Sequence, residues 1–322
     1  MKTLLTSALC GWALLVSPGC VIAQELVMPA VPITVEAHVR DPERSPVEHA
    51  TVYLALPRYG YQENKGQKIK AQTNKEGVAI VSGTAQQDYA VSVEKSGFYR
   101  TQGPHRGIND EKSFQEYAVG VQKIDLELRP VRNPILGIRK GVDREPLPST
   151  DGPMSFDLEI GDWVAPHGKG RTADFIFELD GRFTSSRDYD QKFTLRFSRL
   201  QDGITVFKHP KNIGSALKWP YEAPLSGYES SRTWILKWSI KEGGRGTTID
   251  LGGETNYLFR VRSEVDEKGN VVRALYGVVS GDFIPVGGNN EIGRNVSFTY
   301  ALNPDWTRNL EFDPVKTASS PR

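Results

Sequence analysis

Ile33-Thr-Val-Glu-Ala-His-Val39 decides the fold: its apolar side chains fall on every second residue, so an extended strand there has one apolar and one polar face. The same period runs through Ala50-Thr-Val-Tyr-Leu-Ala-Leu56, Tyr89-Ala-Val-Ser-Val-Glu-Lys95 and Val121-Gln-Lys-Ile-Asp-Leu-Glu-Leu128. Turn residues punctuate these runs at Asp41-Pro42, Asn74-Lys-Glu-Gly77 and Ser96-Gly97. Short alternating strands at this spacing predict a small β-sandwich over residues 30–130.

From Met154 onward the alternating runs lengthen. They include Ser155–Ile160, Thr172–Leu179, Lys192–Ser198, Thr233–Ile240, Asn256–Arg262, Val271–Gly277 and Val296–Leu302. No helical periodicity separates them, which predicts an all-β chain whose second part, 154–314, is a larger jelly-roll-like sandwich. Between the two parts stand Pro130, Pro134, Pro146, Pro148 and Pro153. Proline fixes φ and removes a backbone donor, so 131–153 reads as an extended linker. The polar end, 315–322, reads as a flexible tail.

Several motifs in the first sandwich carry a resemblance. Val47-Glu-His-Ala50-Thr-Val52, Thr73-Asn74-Lys-Glu-Gly77 and Tyr89-Ala-Val91-Ser-Val93-Glu-Lys95-Ser-Gly97-Phe98 follow one another as in a carboxypeptidase-regulatory-like (transthyretin-like) domain, which residues 30–130 therefore resemble. The resemblance implies an accessory or adhesive module and brings no catalytic residues. The second part resembles the C-terminal region of bacterial envelope proteins that carry such an N-terminus. The matching pieces are Phe156-Asp-Leu-Glu-Ile-Gly161-Asp-Trp163, Thr172-Ala-Asp-Phe-Ile-Phe177 and Asn303-Pro-Asp-Trp-Thr-Arg308-Asn-Leu-Glu-Phe-Asp-Pro314.

The first residues read as a targeting segment. Lys2 is followed by an apolar run to Ile22, and Val21-Ile22-Ala23 suits cleavage before Gln24, so 1–23 is expected to be a signal peptide. A competing reading takes Ser17-Pro18-Gly19-Cys20 as a lipoprotein box, with a lipid anchor at Cys20. Both cysteines, Cys10 and Cys20, lie in this segment. Cleavage at Ala23 would leave no thiol for nucleophilic catalysis, zinc ligation or redox chemistry. The expected location is periplasmic or extracellular.

The chain has 322 residues, of which 38% are hydrophobic and 25% charged, a composition that supports packed cores rather than disorder. Lys and Arg number 40 against 39 Asp and Glu, with no basic stripe, which argues against a nucleic-acid partner. His38, His49, His105, His167 and His209 share no metal-ligand spacing, so no metal or cofactor is expected. There is no Gly-x-Ser-x-Gly, and no glycine loop opens a helix that could receive phosphate.

Two sets of residues remain as candidates. The stretch Phe207 to Ser231 is long for a loop and interleaves His209, Trp219, Tyr221 and Tyr228 with lysines. Aromatic faces of this kind stack on sugar C–H surfaces or anchor a protein partner. Trp163, after the Gly161-Asp162 turn, is expected to be exposed beside them. The competing reading is that the loop folds back and plugs the end of the sandwich. The second set is Asp157 with Glu159 and Glu178 with Asp180, which a glycan-cleaving enzyme would need to face each other across a cleft. On an ordinary sheet the same spacing is a solvated face. The sequence therefore favours a non-catalytic envelope protein that binds a glycan or another protein, over a glycan-active enzyme or a structural component.

Overall fold

The computed structural model describes residues 31–56, 66–85, 88–107, 120–149, 152–185, 188–209, 214–239, 255–284, 295–313 and 318–319. The proposed signal peptide and Cys20 lie outside them. The described residues form strands, turns and loops without a helix, and no helix among them is long and apolar enough to cross a membrane.

The first sandwich contains seven strands: β1 (Val31–Arg40), β2 (Thr51–Leu56), β3 (Gln67–Gln72), β4 (Val78–Ala85), β5 (Asp88–Glu94), β6 (Thr101–Gly107) and β7 (Val121–Glu127). They make a sheet of order β4-β1-β7 and a facing sheet of order β3-β2-β5-β6. The period of two read from the sequence is the observed burial pattern. Ile33, Val35, Ala37 and Val39 of β1 point inward onto Val52, Leu54, Val91 and Val93 of the facing sheet, beside Ile124 and Leu126 of the neighbouring β7.

The Thr-Asn-x-x-Gly motif has a mechanical reason. The buried Thr73 hydroxyl donates to the Val47 carbonyl at 2.6 Å and accepts from the Ala50 amide at 2.8 Å, tying the turn to the entry of β2. Asn74 Oδ1 accepts from the amides of Glu76 and Val78 and closes the turn. Gly77 sits at φ +74°, and a Cβ there would lie 2.5 Å from the Val39 carbonyl oxygen, so a side chain is excluded twice over.

The second sandwich comprises β8 (Ile138–Pro146), β9 (Met154–Asp157), β10 (Asp162–Trp163), β11 (Phe175–Ser185), β12 (Asp188–Arg196), β13 (Gly203–Lys208), β14 (Ser231–Ser239), β15 (Thr255–Val265), β16 (Val271–Ile284), β17 (Asn295–Asn303) and β18 (Ala318–Ser319). One sheet runs β10-β9-β11-β12-β14 and the other β13-β15-β16-β17-β8-β18. Their facing sides share an aromatic core in which Phe175 meets Phe259 edge-on at 5.1 Å and Phe177 stacks on Phe193 at 5.6 Å.

Two boundaries differ from the sequence reading. The expected linker is not free: β8 pairs antiparallel with β17, from Ile138 opposite Leu302 to Pro146 opposite Asn295. The prolines tolerate this because they stand before the strand or at its end, leaving a proline-free stretch between Pro134 and Pro146 to supply the ladder. The expected flexible tail also returns to the sheet, where Ala318 and Ser319 pair parallel with Ile138 and Arg139.

The six-stranded sheet is covered on both faces. Its second face carries Leu258, Ala274, Tyr276, Val278 and Ala301, and these are buried under Trp219, Ala223, Leu310 and Phe312. This explains why Tyr257-Leu-Phe259 and Ala274-Leu-Tyr-Gly-Val-Val279 read as nearly continuous apolar runs rather than clean alternation.

Replacing Thr73 by valine keeps the shape but leaves the buried Ala50 amide and Val47 carbonyl without their partner. Urea denaturation is expected to show a loss of about 1–3 kcal/mol, against a negligible change for Thr51→Val on the outward face of β2.

Candidate functional site

The aromatic loop between β13 and β14 joins the two sandwiches. Gly214 to Ala216 runs along the edge of β6: the Gln102 amide donates to the Gly214 carbonyl at 2.9 Å, and the Ala216 amide donates to the Arg100 carbonyl at 2.8 Å. Ser215 bridges antiparallel to Thr101. A Cβ on Gly214 would run into the Gln102 carbonyl oxygen, so this contact between sandwiches requires glycine. Beyond it, Arg129 donates through Nη1 to the carbonyls of Leu217 at 2.8 Å and Trp219 at 2.6 Å.

The remaining aromatic residues are used in the same closure. Trp219 is only 9% exposed and packs against Phe207 and His209, with ring centroids 5.9 and 5.2 Å away. Burial pushes the His209 imidazole below its ordinary pKa. Tyr228 donates to the Pro224 carbonyl at 3.0 Å and lies under the Arg260 guanidinium. Tyr221 donates to the Pro130 carbonyl at 2.6 Å, while the guanidinium carbons of Arg129 and Arg132 lie 4.6 and 4.0 Å from its ring centre. The loop thus folds back, but over the outer face of the six-stranded sheet and into the junction rather than over the end of the sandwich, where the competing reading put it.

Trp163 needs a correction. It is 4% exposed, in register with Phe156 across β9 and β10, and meets the Phe156 and Phe177 rings edge-on at 5.4 and 6.0 Å. The turn at Gly161 ends one residue earlier than its exposure would require. Strand alternation then sends Asp162 outward and Trp163 into the core.

At the centre of the junction is Glu311, which is 1% exposed. Its Oε1 accepts from the Tyr99 hydroxyl at 2.9 Å and the Arg132 amide at 2.7 Å, and its Oε2 accepts from the Asn133 amide at 2.6 Å. Burial, followed by the hydrogen bond to Glu311, pushes the Tyr99 phenol far above its ordinary pKa, so it stays a donor. Three separated segments meet here, 132–133, 221–222 and 307–311, and they enclose an open groove of about 460 Å³. Its walls bring Tyr221 together with Arg132, Asn133, Thr307, Arg308 and Asn309. Of the five aromatic and histidine candidates read from the sequence, Tyr221 lines this groove. The buried Asn303 shapes its far wall by donating to Thr307 and Asn309, while its Oδ1 accepts from the Asp305 amide.

The carboxylate candidates go elsewhere. Asp157 Oδ1 accepts from the amides of Glu159 and Ile160, and Oδ2 from those of Arg171 and Thr172. Arg262 then forks onto Asp174 with two bonds of 2.8 Å, reaches Asp157 at 3.0 Å and pairs with Glu159. Burial would raise the Asp157 pKa, but these donors outweigh it and hold the carboxyl below its usual range. For the more deeply buried Asp174, burial wins and the pKa is raised despite Arg262. The irregular pairing between Val261 and Glu264 places Arg262 at φ +56°, with Asp202 accepting from the amides of Arg262 and Ser263. Glu178 pairs with Arg196 on the solvated face, and exposed Asp180 accepts from the Gly181 amide. The two acid pairs are therefore structural in their contacts. Among the described residues, no group of His, Cys, Asp and Glu is arranged to hold a metal.

Arg262→Met would strand two buried carboxylates and is expected to cost about 3–5 kcal/mol in chemical denaturation. Adding Asp174→Asn should return part of that loss, because one of the uncompensated buried charges is then gone.

No family model matches the chain, and no curated protein matches it. Among solved structures, an intradiol ring-cleavage dioxygenase from Tetranychus urticae is similar over 32% of this chain and 82% of its own, with 10% identity and a TM-score of 0.22. A Bacteroides uniformis structure described as a "putative carbohydrate binding protein" covers 84% of this chain and 97% of its own, with 10% identity and a TM-score of 0.20. The major pilin subunit BcpA of Bacillus cereus covers 83% and 95%, with 10% identity and a TM-score of 0.22. Likenesses at these TM-scores decide neither the fold nor the function.

Proposed function

We propose that this chain is a non-catalytic, two-sandwich protein exported to the bacterial cell envelope, where it binds a glycan in the junction groove. The observation that carries the reading is the groove of about 460 Å³ beside the boundary between the sandwiches, lined by Arg132 and Asn133 of the connector and by residues 221–222 and 307–311 of the second part. Ligand sites are concentrated at such domain boundaries. Tyr221 offers a half-buried ring edge, while Arg132, Asn133, Thr307 and Asn309 offer the donors and acceptors that a hydroxyl-rich ligand needs. Export rests on the apolar run to Ile22 and the Ala23 cleavage site, with lipidation at Cys20 as the alternative attachment. The small sandwich we read as a carboxypeptidase-regulatory-like module, a reading supported by the Thr73-Asn74-Gly77 turn geometry.

The other readings have less support. A glycan-cleaving role would need two acids facing each other across a cleft, and of the four candidates Asp157, Glu159 and Glu178 are committed to arginines, which leaves Asp180 alone. Assembly through the edges of the small sandwich would need open strands. The edge of β6 is occupied by Gly214 to Ala216, and β3 carries Lys68 and Lys70, residues that discourage edge pairing.

The test is calorimetric titration of the chain with a panel of soluble neutral and acidic polysaccharides, alongside Arg132→Ala. The Arg132 side chain touches Glu43 at 3.6 Å and the Tyr221 ring, while its bond to Glu311 is made by the backbone amide that alanine keeps, so the variant should fold. Saturable binding that weakens at least tenfold in Arg132→Ala is expected. Absence of saturable binding across the panel, or binding of the neutral polysaccharides that is indifferent to Arg132, overturns the reading.

A further inference from the structure

Phe98, Tyr99 and Arg100 enter β6 in extended conformation, so their side chains alternate. Tyr99 turns to Glu311 in the junction, while Phe98 and Arg100 face a second groove, of about 540 Å³, on the outer side of the small sandwich. Tyr53 of β2 and Glu94 at the end of β5 line it too, with Lys95 and the hydroxyl of Thr51.

The cation at this groove is pre-oriented. Arg100 Nε pairs with Glu94 at 3.1 Å and its Nη2 donates to Ser92 Oγ at 3.3 Å. These two contacts occupy the side of the planar guanidinium that carries Nε and leave its end-on Nη1/Nη2 pair for a ligand. A guanidinium held along one edge presents the other as a rigid two-pronged donor matched to a carboxylate. Lys95 is likewise held, donating to the Glu48 carbonyl at 2.7 Å and lying 5.5 Å from the Phe98 ring centre. Lys68 Nζ sits 4.0 Å from the Tyr53 ring centre. Glu94 is the one acid in the lining, against Arg100 and Lys95, so the surface is net cationic.

We propose that this groove is a second carbohydrate site, selective for sugars that carry a carboxylate, such as uronic acids. The carboxylate docks on the end-on fork of Arg100, and the sugar ring packs against Tyr53 and Phe98. The site is separate from the junction groove and shares no lining residue with it. The inference therefore stands or falls independently of the function proposed there.

The experiment titrates the full chain with galacturonic acid oligosaccharides and with neutral malto-oligosaccharides of equal length. Calorimetry gives affinity, and amide chemical shifts around Thr51 and Ser96 locate the site. Binding of the acidic oligosaccharide should exceed that of the neutral one at least tenfold. It should fall at least tenfold in Arg100→Gln and in Tyr53→Leu, and persist in Arg132→Ala. Folding of each variant is checked by its thermal transition, and Arg100→Lys keeps the charge without the fork, so it should recover only part of the affinity. Equal binding of neutral oligosaccharide at this groove, read from the shifts around Thr51 and Ser96, indifference to Arg100, or no binding of the acidic oligosaccharide overturns the proposal. Loss in Arg132→Ala with retention in Arg100→Gln also overturns it and assigns the acidic sugar to the junction groove.

Discussion

A carboxylate buried to 1% exposure needs hydrogen-bond donors, and Glu311 finds all of its partners in chain segments far away in sequence. The Tyr99 hydroxyl comes from the small sandwich, and the Arg132 and Asn133 amides come from the stretch that connects the two. Leaving such a group unpaired in an apolar setting costs several kcal/mol, so the three segments are obliged to meet. That obligation fixes the course of the connector. Ile135 then bonds in both directions to the 311–313 segment, and β8 enters the six-stranded sheet.

The same constraint determines what the aromatic loop can be. Because the six-stranded sheet has an apolar outer face, something must cover it, and the loop from Leu217 to Tyr228 does so together with Leu310 and Phe312. Burying a large apolar side chain such as Trp219 contributes about 1.5–3 kcal/mol, more than a solvent-facing ligand platform could return to the fold. The loop is therefore first a clamp between sandwiches. Function is left to the surfaces that its closure creates, above all the groove where Tyr221, Arg132 and Arg308 come together.

Much of the fold was legible because strand alternation is a local signal. Ile33 to Val39 and Tyr89 to Glu94 read directly as half-buried strands, and the Thr73-Asn74-Gly77 turn needed only its own residues and neighbours. What was not legible depends on partners. Prolines at 134 and 146 suggested a free linker because the sequence does not show that β17 waits to pair with the segment between them. Trp163 looked exposed because the end of a turn and the first residue of a strand differ by one position. Asp157 and Glu159 looked like a solvated or catalytic pair until a backbone irregularity at Arg262, more than a hundred residues away, turned a guanidinium onto them. The groove itself had one aromatic signal, Tyr221. Its other walls are ordinary Arg, Asn and Thr residues whose meaning comes from assembly.

The central claim is that the two sandwiches are welded by Glu311, Arg129 and the Gly214–Ala216 segment into one cooperative body. Differential scanning calorimetry of the full chain tests it most directly. A single transition whose calorimetric and van't Hoff enthalpies agree is the predicted result. Two separable transitions, each with its own midpoint, would contradict it and show that the junction contacts contribute too little to couple the sandwiches.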